Sequence, residues 1–475
     1  MSEEPERRRT VLSAELALAT PLFCAGASPD DLGFRASSVK GVLRWWWRAL
    51  AYPGIFAGTN DQKRALEVLA TREKRVFGGV DDNRGQRDRD GSGQRSRVTC
   101  RVYTAAGRHA RDKRDKDQLL TAGDGRVVGS GARYLGYGLM AAFGRDAGKL
   151  SRPCLVGSST SEDAFRVQLV CQGLADDEVE SLERALWAWG HLGGLGARSR
   201  RGWGSVALVG LGRQESGPVP ESTAFLPIAG LPSYEELVAR AGKVLLQVPK
   251  SAERWPLFSA FGSGTRVVIA KYKGGTLAAL DAVGAEMVRY RSWGHNGKIL
   301  DGEPAERNFP EDHDLMKSSG HRARHPRRLV FGLPHNYGKG PDYQVVPLVG
   351  ATAPVVGKEK ADRRASPLLV HVHPLKDGSA AAVLTLLPAK FLPGSTPKVL
   401  VGQDQVTLAP PEELYQPLDA FMDRISANGK GLFAQTADLV AGEAWRPRAG
   451  QAGGLGAGER VPGGAELRGP ERGGR

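Results

Sequence analysis

The spacing of apolar residues in the first half of the chain predicts alternating strands and helices. After the second predicted helix comes a glycine-rich segment, residues 193–204, which we call the glycine loop. The predicted elements are, in order, a strand over 10–19, a helix that starts after Ser37 or Ser38, strands over 98–104 and 165–171, a helix capped by Asp176 or Asp177, and a strand over 206–209. This order is that of a ferredoxin-like βαββαβ unit with insertions.

The second half repeats the pattern less clearly. Its predicted elements are strands over 244–248 and 266–270, a helix from Thr276, a basic loop over 312–328, a hairpin over 368–373 and 382–387, and a helix over 411–428. The sequence therefore predicts an α+β protein with two ferredoxin-like domains, residues 1–215 and 216–445. The first domain contains a charged insertion over about 81–117. The chain ends in a Gly-rich tail over 446–475, which is expected to be weakly ordered.

Composition favours a polyanionic partner. The 475 residues include 66 Lys and Arg against 52 Asp and Glu, a formal net charge of +14. For a large protein without membrane signals, nucleic acid is the leading candidate, although a merely solubilising charge is the alternative. The four cysteines form no C-x-x-C pair, and the N-terminus lacks the apolar stretch of a signal peptide. We expect a cytoplasmic protein without a membrane span or cofactor.

The first candidate binding element is the helix over residues 38–50, SVKGVLRWWWRAL. Lys40, Arg44 and Arg48 recur every four residues on the face opposite its apolar positions, and Trp45 and Trp47 border that stripe. Rings beside guanidinium groups suit single-stranded RNA, because bases stack on the rings while phosphates pair with the cations. The alternative is an ordinary solvated face beside core tryptophans. Trp46 is expected in the core.

The second candidate is the glycine loop, which carries Arg198, Arg200, Arg201 and Trp203. Glycines permit positive φ and let backbone N–H groups approach an anion closely. A nucleotide-binding P-loop is disfavoured, because this loop follows a helix and precedes a strand and has no Gly-Lys-Ser/Thr. A plain linker is the remaining alternative, and it fits poorly with so many Arg and Trp residues.

These motifs, FRASSVKGVLRWWWRAL and GGLGARSRRGWGS, resemble the RAMP superfamily of CRISPR systems, and VFGLPHNYGKG and VLTLLPAKFLP support the resemblance in the second half. The similarity is greatest to the first subunit of the type III-B Cmr effector complex. It implies a non-catalytic subunit that binds guide RNA (crRNA) near its 3′ end, helps capture target RNA and contacts other Cmr subunits. The motifs and the resemblance together give these candidate RNA-binding residues: Arg35, Lys40, Arg44, Trp45, Trp47, Arg48, Arg198, Arg200, Arg201, Trp203, Arg363 and Arg364.

No catalytic residue and no metal ligand is assigned. The alternative is a metal-dependent RAMP endoribonuclease that uses Asp30 or Asp31, which lie in the loop after the first strand. Asp312-His313-Asp314 resembles part of an HD phosphohydrolase site but lacks further ligands nearby. His371 and His373 share one strand face and form a possible ligand pair without an evident third member.

Overall fold

The computed structural model describes residues 8–26, 28, 32–79, 93–103, 113–122, 125–157, 165–216, 228–318, 320–338, 340–348 and 363–442. All of them belong to one compact unit that ends at Trp445. The predicted tail lies outside the described residues, as does most of the predicted charged insertion. The division into domains at residues 215 and 216 stays a prediction. None of the helices in the described ranges is long and apolar enough to cross a bilayer.

The first half contains a five-stranded open sheet and a separate pair of two-residue strands. Its elements are β1 (Arg9–Leu18), α1 (Ala36–Thr59), α2 (Gln62–Phe77), β2 (Val98–Tyr103), β3 (Lys113–Arg114), α3 (Ser130–Leu135), β4 (Cys154–Leu155), β5 (Phe165–Gln172), α4 (Asp176–Leu192), β6 (Val206–Glu215) and β7 (Ile228–Ala229). The sheet order is β2-β5-β1-β6-β7, and all neighbours are antiparallel. Strands β1, β2, β5 and β6 with helices α1 and α4 therefore form a ferredoxin-like unit.

The second half repeats this topology. Its elements are α5 (Tyr234–Leu246), β8 (Arg266–Tyr272), α6 (Thr276–Arg291), α7 (Pro310–Lys317), β9 (Gly332–Leu333), β10 (His335–Asn336), β11 (Gln344–Leu348), β12 (Arg364–Ala365), β13 (Leu368–Pro374), β14 (Ala380–Leu386), β15 (Lys398–Val401), β16 (Asp404–Thr407), α8 (Pro411–Leu414), α9 (Gln416–Ser426) and β17 (Gln435–Val440). The order β13-β14-β8-β17, joined through α6 and α9, is again ferredoxin-like. The predicted fold class is confirmed.

The second sheet is covered on both faces. Every residue of β13 and β14 is buried. Alternate residues of these strands join two different apolar clusters, one shared with α4 and α5 and the other with α6 and α9. The strand sequence AAAVLTL is almost entirely apolar, as expected for a strand buried on both sides, whereas in LLVHVHP the buried His371 and His373 alternate with valines. Both faces of this sheet are therefore closed to a ligand.

The two halves meet along the glycine loop. Arg201 forms a parallel bridge with Val370 of β13, and the Val370 N–H donates to the Arg200 carbonyl over 3.0 Å. The Val372 N–H donates to Ser205 Oγ over 3.1 Å. These bonds fix the glycine loop, which follows α4, against strand β13.

Helices α3 and α6 cross at a second contact between the halves. Gly131 and Gly284 touch there: a Cβ built on Gly284 would lie 2.1 Å from the Gly131 carbonyl oxygen. Only two residues without side chains permit so close an approach.

Three local predictions were wrong. The strand expected over 244–248 belongs mainly to α5, which begins at a capping box between Ser233 and Glu236 and keeps helical spacing through Val244. Neither Ser37 nor Ser38 caps α1, whose N-cap is Arg35. Part of the basic loop over 312–328 is the helix α7. Helix α2, which the apolar spacing did not reveal, packs on α1.

Candidate nucleic-acid interface

The glycine loop is a tight, ordered turn between α4 and β6. The Leu195 N–H donates to the Gly204 carbonyl over 2.8 Å, and the Gly204 N–H donates to the Pro21 carbonyl over 2.9 Å. Gly204 has φ of +64°, and a Cβ there would lie 2.1 Å from the Leu195 carbonyl oxygen. Glycine is therefore required at this position. The turn holds its three arginines at fixed positions on the line where the halves meet.

Arg198 stands at the exposed end of the loop. Its Nε and Nη2 donate to the Tyr137 carbonyl over 3.0 and 2.6 Å. Partial burial and the nearby charges of Arg363 and Arg152 lower the pKa of its guanidinium. Arg363 comes from the second half, so two like charges face each other across the junction.

Arg200 lies deeper in the same junction. Its Nη2 donates to the Ser366 carbonyl over 2.6 Å, and its guanidinium carbon lies 5.7 Å from the centre of the Trp45 ring. Burial, with a smaller contribution from the charge of Arg364, lowers the Arg200 pKa to about 10. The Nε of Arg200, and the Nε and Nη2 of Arg364, are shielded from solvent without a hydrogen-bond partner in the described structure.

Arg201 and Arg291 form a third pair of neighbouring arginines, after Arg198 with Arg363 and Arg200 with Arg364. Burial, followed by the charge of Arg291, lowers the pKa of Arg201 to about 10. Arg291 is the last residue of α6, and its Nη1 donates to Tyr134 Oη over 3.0 Å. Sequence alone does not single out Arg291, because a basic residue in the last turn of a helix commonly just complements the helix dipole.

We call these six residues, Arg198, Arg200, Arg201, Arg291, Arg363 and Arg364, the arginine seam. No carboxylate of the described residues forms a salt bridge with any of them. Like charges in a partly buried setting repel one another, and their partners, which are carbonyls, hydroxyls and aromatic rings, carry no net negative charge to neutralise them. An anion bound along the seam would relieve this repulsion.

A small cavity opens beside the seam. It has a volume of about 250 Å³ and is lined by Val42, Trp45, Trp46, Gly194, Arg200 and Leu369, among others. Trp45 is partly exposed and meets the buried Trp46 ring edge-on at 4.9 Å. The cavity combines an aromatic ring with a guanidinium group that has an unused donor, which are the groups that hold an unstacked base.

Two predicted contacts need correction. Trp47 is only 3% exposed, because it packs on Phe77 of α2 and its Nε1 donates to Ser181 Oγ over 2.7 Å. Trp203 is 0% exposed and packs edge-on against Phe23. Neither ring can stack on a base in this structure, so both are core residues.

The cations of α1 lie against other elements of the first half. Lys40 donates to Ser96 Oγ and to the Val98 carbonyl over 2.7 and 3.1 Å, and burial lowers its pKa. Arg44 and Arg48 share the carboxylate of Glu73 on α2, although their side chains stay 43% and 40% exposed. The guanidinium of Arg35 lies against Gly26. The predicted stripe is thus partly neutralised by a helix that was not foreseen.

The remaining candidate ligands have structural partners. Asp312 accepts hydrogen bonds from the backbone N–H groups of Arg327 and Arg328, and it forms an ion pair with the Arg328 side chain. His371 donates from Nδ1 to the Gly193 carbonyl over 2.7 Å, and its Nε2 bonds His373 Nδ1 over 3.1 Å. Within the described part of the chain, no three His, Cys, Asp or Glu residues are placed to hold a metal ion. Asp30 and Asp31 lie outside the described residues.

Comparison with known proteins relates this architecture to one family. The sequence model of the RAMP superfamily matches residues 15–207. The chain is 27% identical over 198 residues to the CRISPR system Cmr subunit Cmr1-2 of Pyrococcus furiosus, a match that covers 41% of this chain and 92% of that protein. It is 29% identical over 176 residues to the subunit Cmr1-1 of the same organism, which covers 37% of this chain but only 40% of that protein.

Solved structures align over most of the chain at low identity. The crystal structure of apo Cmr1 from Pyrococcus furiosus covers 91% of this chain and 99% of its own, with 18% identity and a TM-score of 0.44. A chain from the cryo-EM structure of the type III-B Cmr-beta complex bound to cognate target RNA covers 87% of this chain and 100% of its own, with 12% identity and a TM-score of 0.43. Residues 15–207 match the RAMP superfamily, and the chain is similar to the Cmr1 subunits of Pyrococcus furiosus.

Proposed function

We propose that this chain is a non-catalytic RNA-binding subunit of a Cmr-type (type III-B) CRISPR ribonucleoprotein that acts in antiviral defence. It binds guide RNA near the 3′ end, helps to capture target RNA and assembles with the other Cmr subunits. The observation that carries the proposal is the arginine seam, in which three loop arginines each face another arginine and none is neutralised by a described carboxylate. The curated relatives, both named as Cmr subunits of a CRISPR system, support it.

The seam favours RNA over an acidic protein because of what lies beside it. Phosphates of a single strand can follow the row of guanidinium groups, while a base enters the cavity at Trp45 and stacks on its ring. Such contacts read the backbone and the faces of bases rather than a sequence. Sequence would then be read by pairing between guide and target, which a sequence-tolerant protein surface permits.

The proposal predicts that removing the exposed pair of seam charges weakens RNA binding. The double substitution Arg198→Gln and Arg363→Gln removes two facing cations without touching the core. We expect the affinity for single-stranded RNA to fall about tenfold at low salt, and the slope of log K against log salt to decrease by about 1.4, or 0.7 for each lost phosphate contact. Fluorescence anisotropy with a labelled RNA, repeated at several salt concentrations, measures both quantities.

The matched control is Arg64→Gln with Arg72→Gln, which removes the same charge from exposed positions of α2. Equal affinities and equal salt slopes for the two double variants would contradict the proposal, because net charge alone would then explain the binding. Incubation of the RNA with magnesium and then with EDTA tests the nuclease alternative. Metal-dependent cleavage that Asp30→Ala abolishes would establish an enzyme instead.

A further inference from the structure

A larger cleft lies next to the arginine seam, between the two halves. Its volume is about 930 Å³, within the range of sites that bind small molecules. Residues of α3 and of the segment up to Ala147 form one wall. The opposite wall comes from the end of α6, the following residues up to Asp301, α7 and β10. Arg291 belongs both to this cleft and to the seam, and its neighbour Arg201 connects the two.

Two nitrogens that line the cleft have no hydrogen-bond partner in the described structure. They are Arg291 Nε and His335 Nδ1, each shielded from solvent by its surroundings. A buried polar group without a partner is costly, and folded proteins keep few of them. Two such groups around one cavity indicate a ligand that supplies hydrogen-bonding atoms.

The charge of the lining shows which kind of ligand fits. Five cations face the cleft, Arg133, Arg291, Lys298, Lys317 and Arg328, whereas Asp301 is the one carboxylate among the described lining residues. Asp301 accepts a hydrogen bond from Ser130 Oγ over 2.5 Å. Arg328 is paired with Asp312, and Lys298 and Lys317 are exposed at the mouth. The excess of positive charge favours an anionic ligand.

Aromatic and amide side chains distinguish a nucleotide from a simple anion. Phe143 is 58% exposed and lines the cleft, as does Tyr337, which stacks on His335 with 4.6 Å between ring centres. Asn296 and Asn336 add donors and acceptors able to bond a base edge. Phosphate-binding cations, aromatic faces and amides together are the groups that recognise a nucleoside phosphate.

We propose that this cleft binds one nucleoside phosphate unit of an RNA strand whose neighbouring phosphates lie along the arginine seam. Arg291 holds the phosphate at the junction of cleft and seam, Lys298 and Lys317 attract it at the mouth, and Phe143 offers a face to the base. The inference rests on the proposed function. It adds to the arginine seam a second site of RNA contact, the cleft, into which one nucleotide turns away from its neighbours in the strand.

The test uses two variants of the full chain. Lys298→Ala with Lys317→Ala removes two exposed cations at the mouth, and Lys63→Ala with Lys250→Ala is the control for the same loss of charge at exposed positions elsewhere. Arg291→Lys keeps the charge but removes the flat guanidinium and its free Nε. We expect each cleft variant to bind single-stranded RNA about five- to tenfold more weakly than the control. Photocrosslinks from RNA that contains 4-thiouridine are expected within residues 133–147 or 291–301.

The outcomes separate this inference from the proposed function. Wild-type protein that binds no RNA would overturn the proposed function, and the inference with it. Unchanged RNA binding in both cleft variants, beside weakened binding in the Arg198 and Arg363 double variant, would overturn the cleft alone. A parallel titration with adenosine monophosphate identifies the source of the ligand. If the cleft variants lose binding of the free nucleotide but keep that of RNA, the cleft is a free-nucleotide site and the RNA inference is wrong.

Discussion

Acidification from pH 7 to pH 5 is expected to destabilise the folded chain by several kcal/mol, because three histidines are buried without charge where the halves meet. His191 on α4 and His371 and His373 on β13 are all 0% exposed. The charge of Arg240 further opposes protonation of His191 and His373. Burial lowers the pKa of His191 to about 3 and that of His371 to about 4, and it lowers the His373 pKa strongly.

The direction of the effect follows from proton binding. Below about pH 6.5 the unfolded chain protonates these imidazoles, whereas in the folded chain His191 and His371 do so only near pH 3–4 and the His373 pKa is also strongly lowered. The free energy of unfolding therefore falls as the pH falls, by about 1.4 kcal/mol per pH unit for each group and about 4 kcal/mol per pH unit for the three. Glu183 acts in the opposite direction, because burial raises its pKa to about 7. Its contribution to the pH dependence of the unfolding free energy cancels about that of one histidine.

Urea unfolding at several pH values between 5 and 7 measures this slope. His373→Asn keeps a polar atom near the Nδ1 position but removes a titrating group, so the slope is expected to decrease by about 1.4 kcal/mol per pH unit. The same substitution at His295 is the control for the loss of an imidazole from an exposed position. A slope equal to the wild-type value in the His373 variant would mean that this cluster does not control acid stability.

Gly284→Ala is expected to destabilise the chain by about 1–3 kcal/mol or more, although alanine favours a helix over glycine. The added Cβ would lie 2.1 Å from the carbonyl oxygen of Gly131, which is backbone and has no rotamer to change. Helices α3 and α6 would have to separate. Because these helices contribute to opposite walls of the cleft, its geometry would change with their spacing.

Gly242→Ala is a matched control within another helix. A Cβ at Gly242 in α5 meets no described atom within 4 Å, so this change should stabilise the chain by up to about 1 kcal/mol. Thermal or urea unfolding compares the two variants. Equal stability of both would show that the helix crossing accommodates a methyl group, contrary to the contact between Gly131 and Gly284.

The fold class could be predicted because its signals are local. In the first half, the predicted strands and helices follow one another along the chain in the observed order. The predicted hairpin ends lie within two residues of the observed ends of β13 and β14. Helix α5 was missed because a short apolar run, VLLQV, fits a strand as well as a helix unless its N-cap is recognised. Helix α2 is rich in charged residues, which make the helical spacing of its buried Ala65, Leu69 and Val76 less evident.

The candidate site was only partly predictable, because it depends on contacts between distant segments. The glycine loop was selected from its motif and the pair Arg363 and Arg364 from the family resemblance, and the structure brings them together. Arg291 and the cleft could not be foreseen, since their importance comes from the crossing of α3 and α6. Trp47 and Trp203 were selected as aromatic residues beside arginines, but a sequence does not reveal which rings the core takes up.

Dissolved salt is expected to affect the free protein and its complex in opposite directions. Between about 50 and 200 mM, added ions screen the mutual repulsion of Arg198 and Arg363 and should raise the melting temperature of the RNA-free chain. The same ions compete with RNA phosphates and lower its affinity. Melting curves with and without RNA over this range would converge as salt increases. Buffers that give the RNA-free chain its highest melting temperature are thus those in which the proposed RNA complex is weakest.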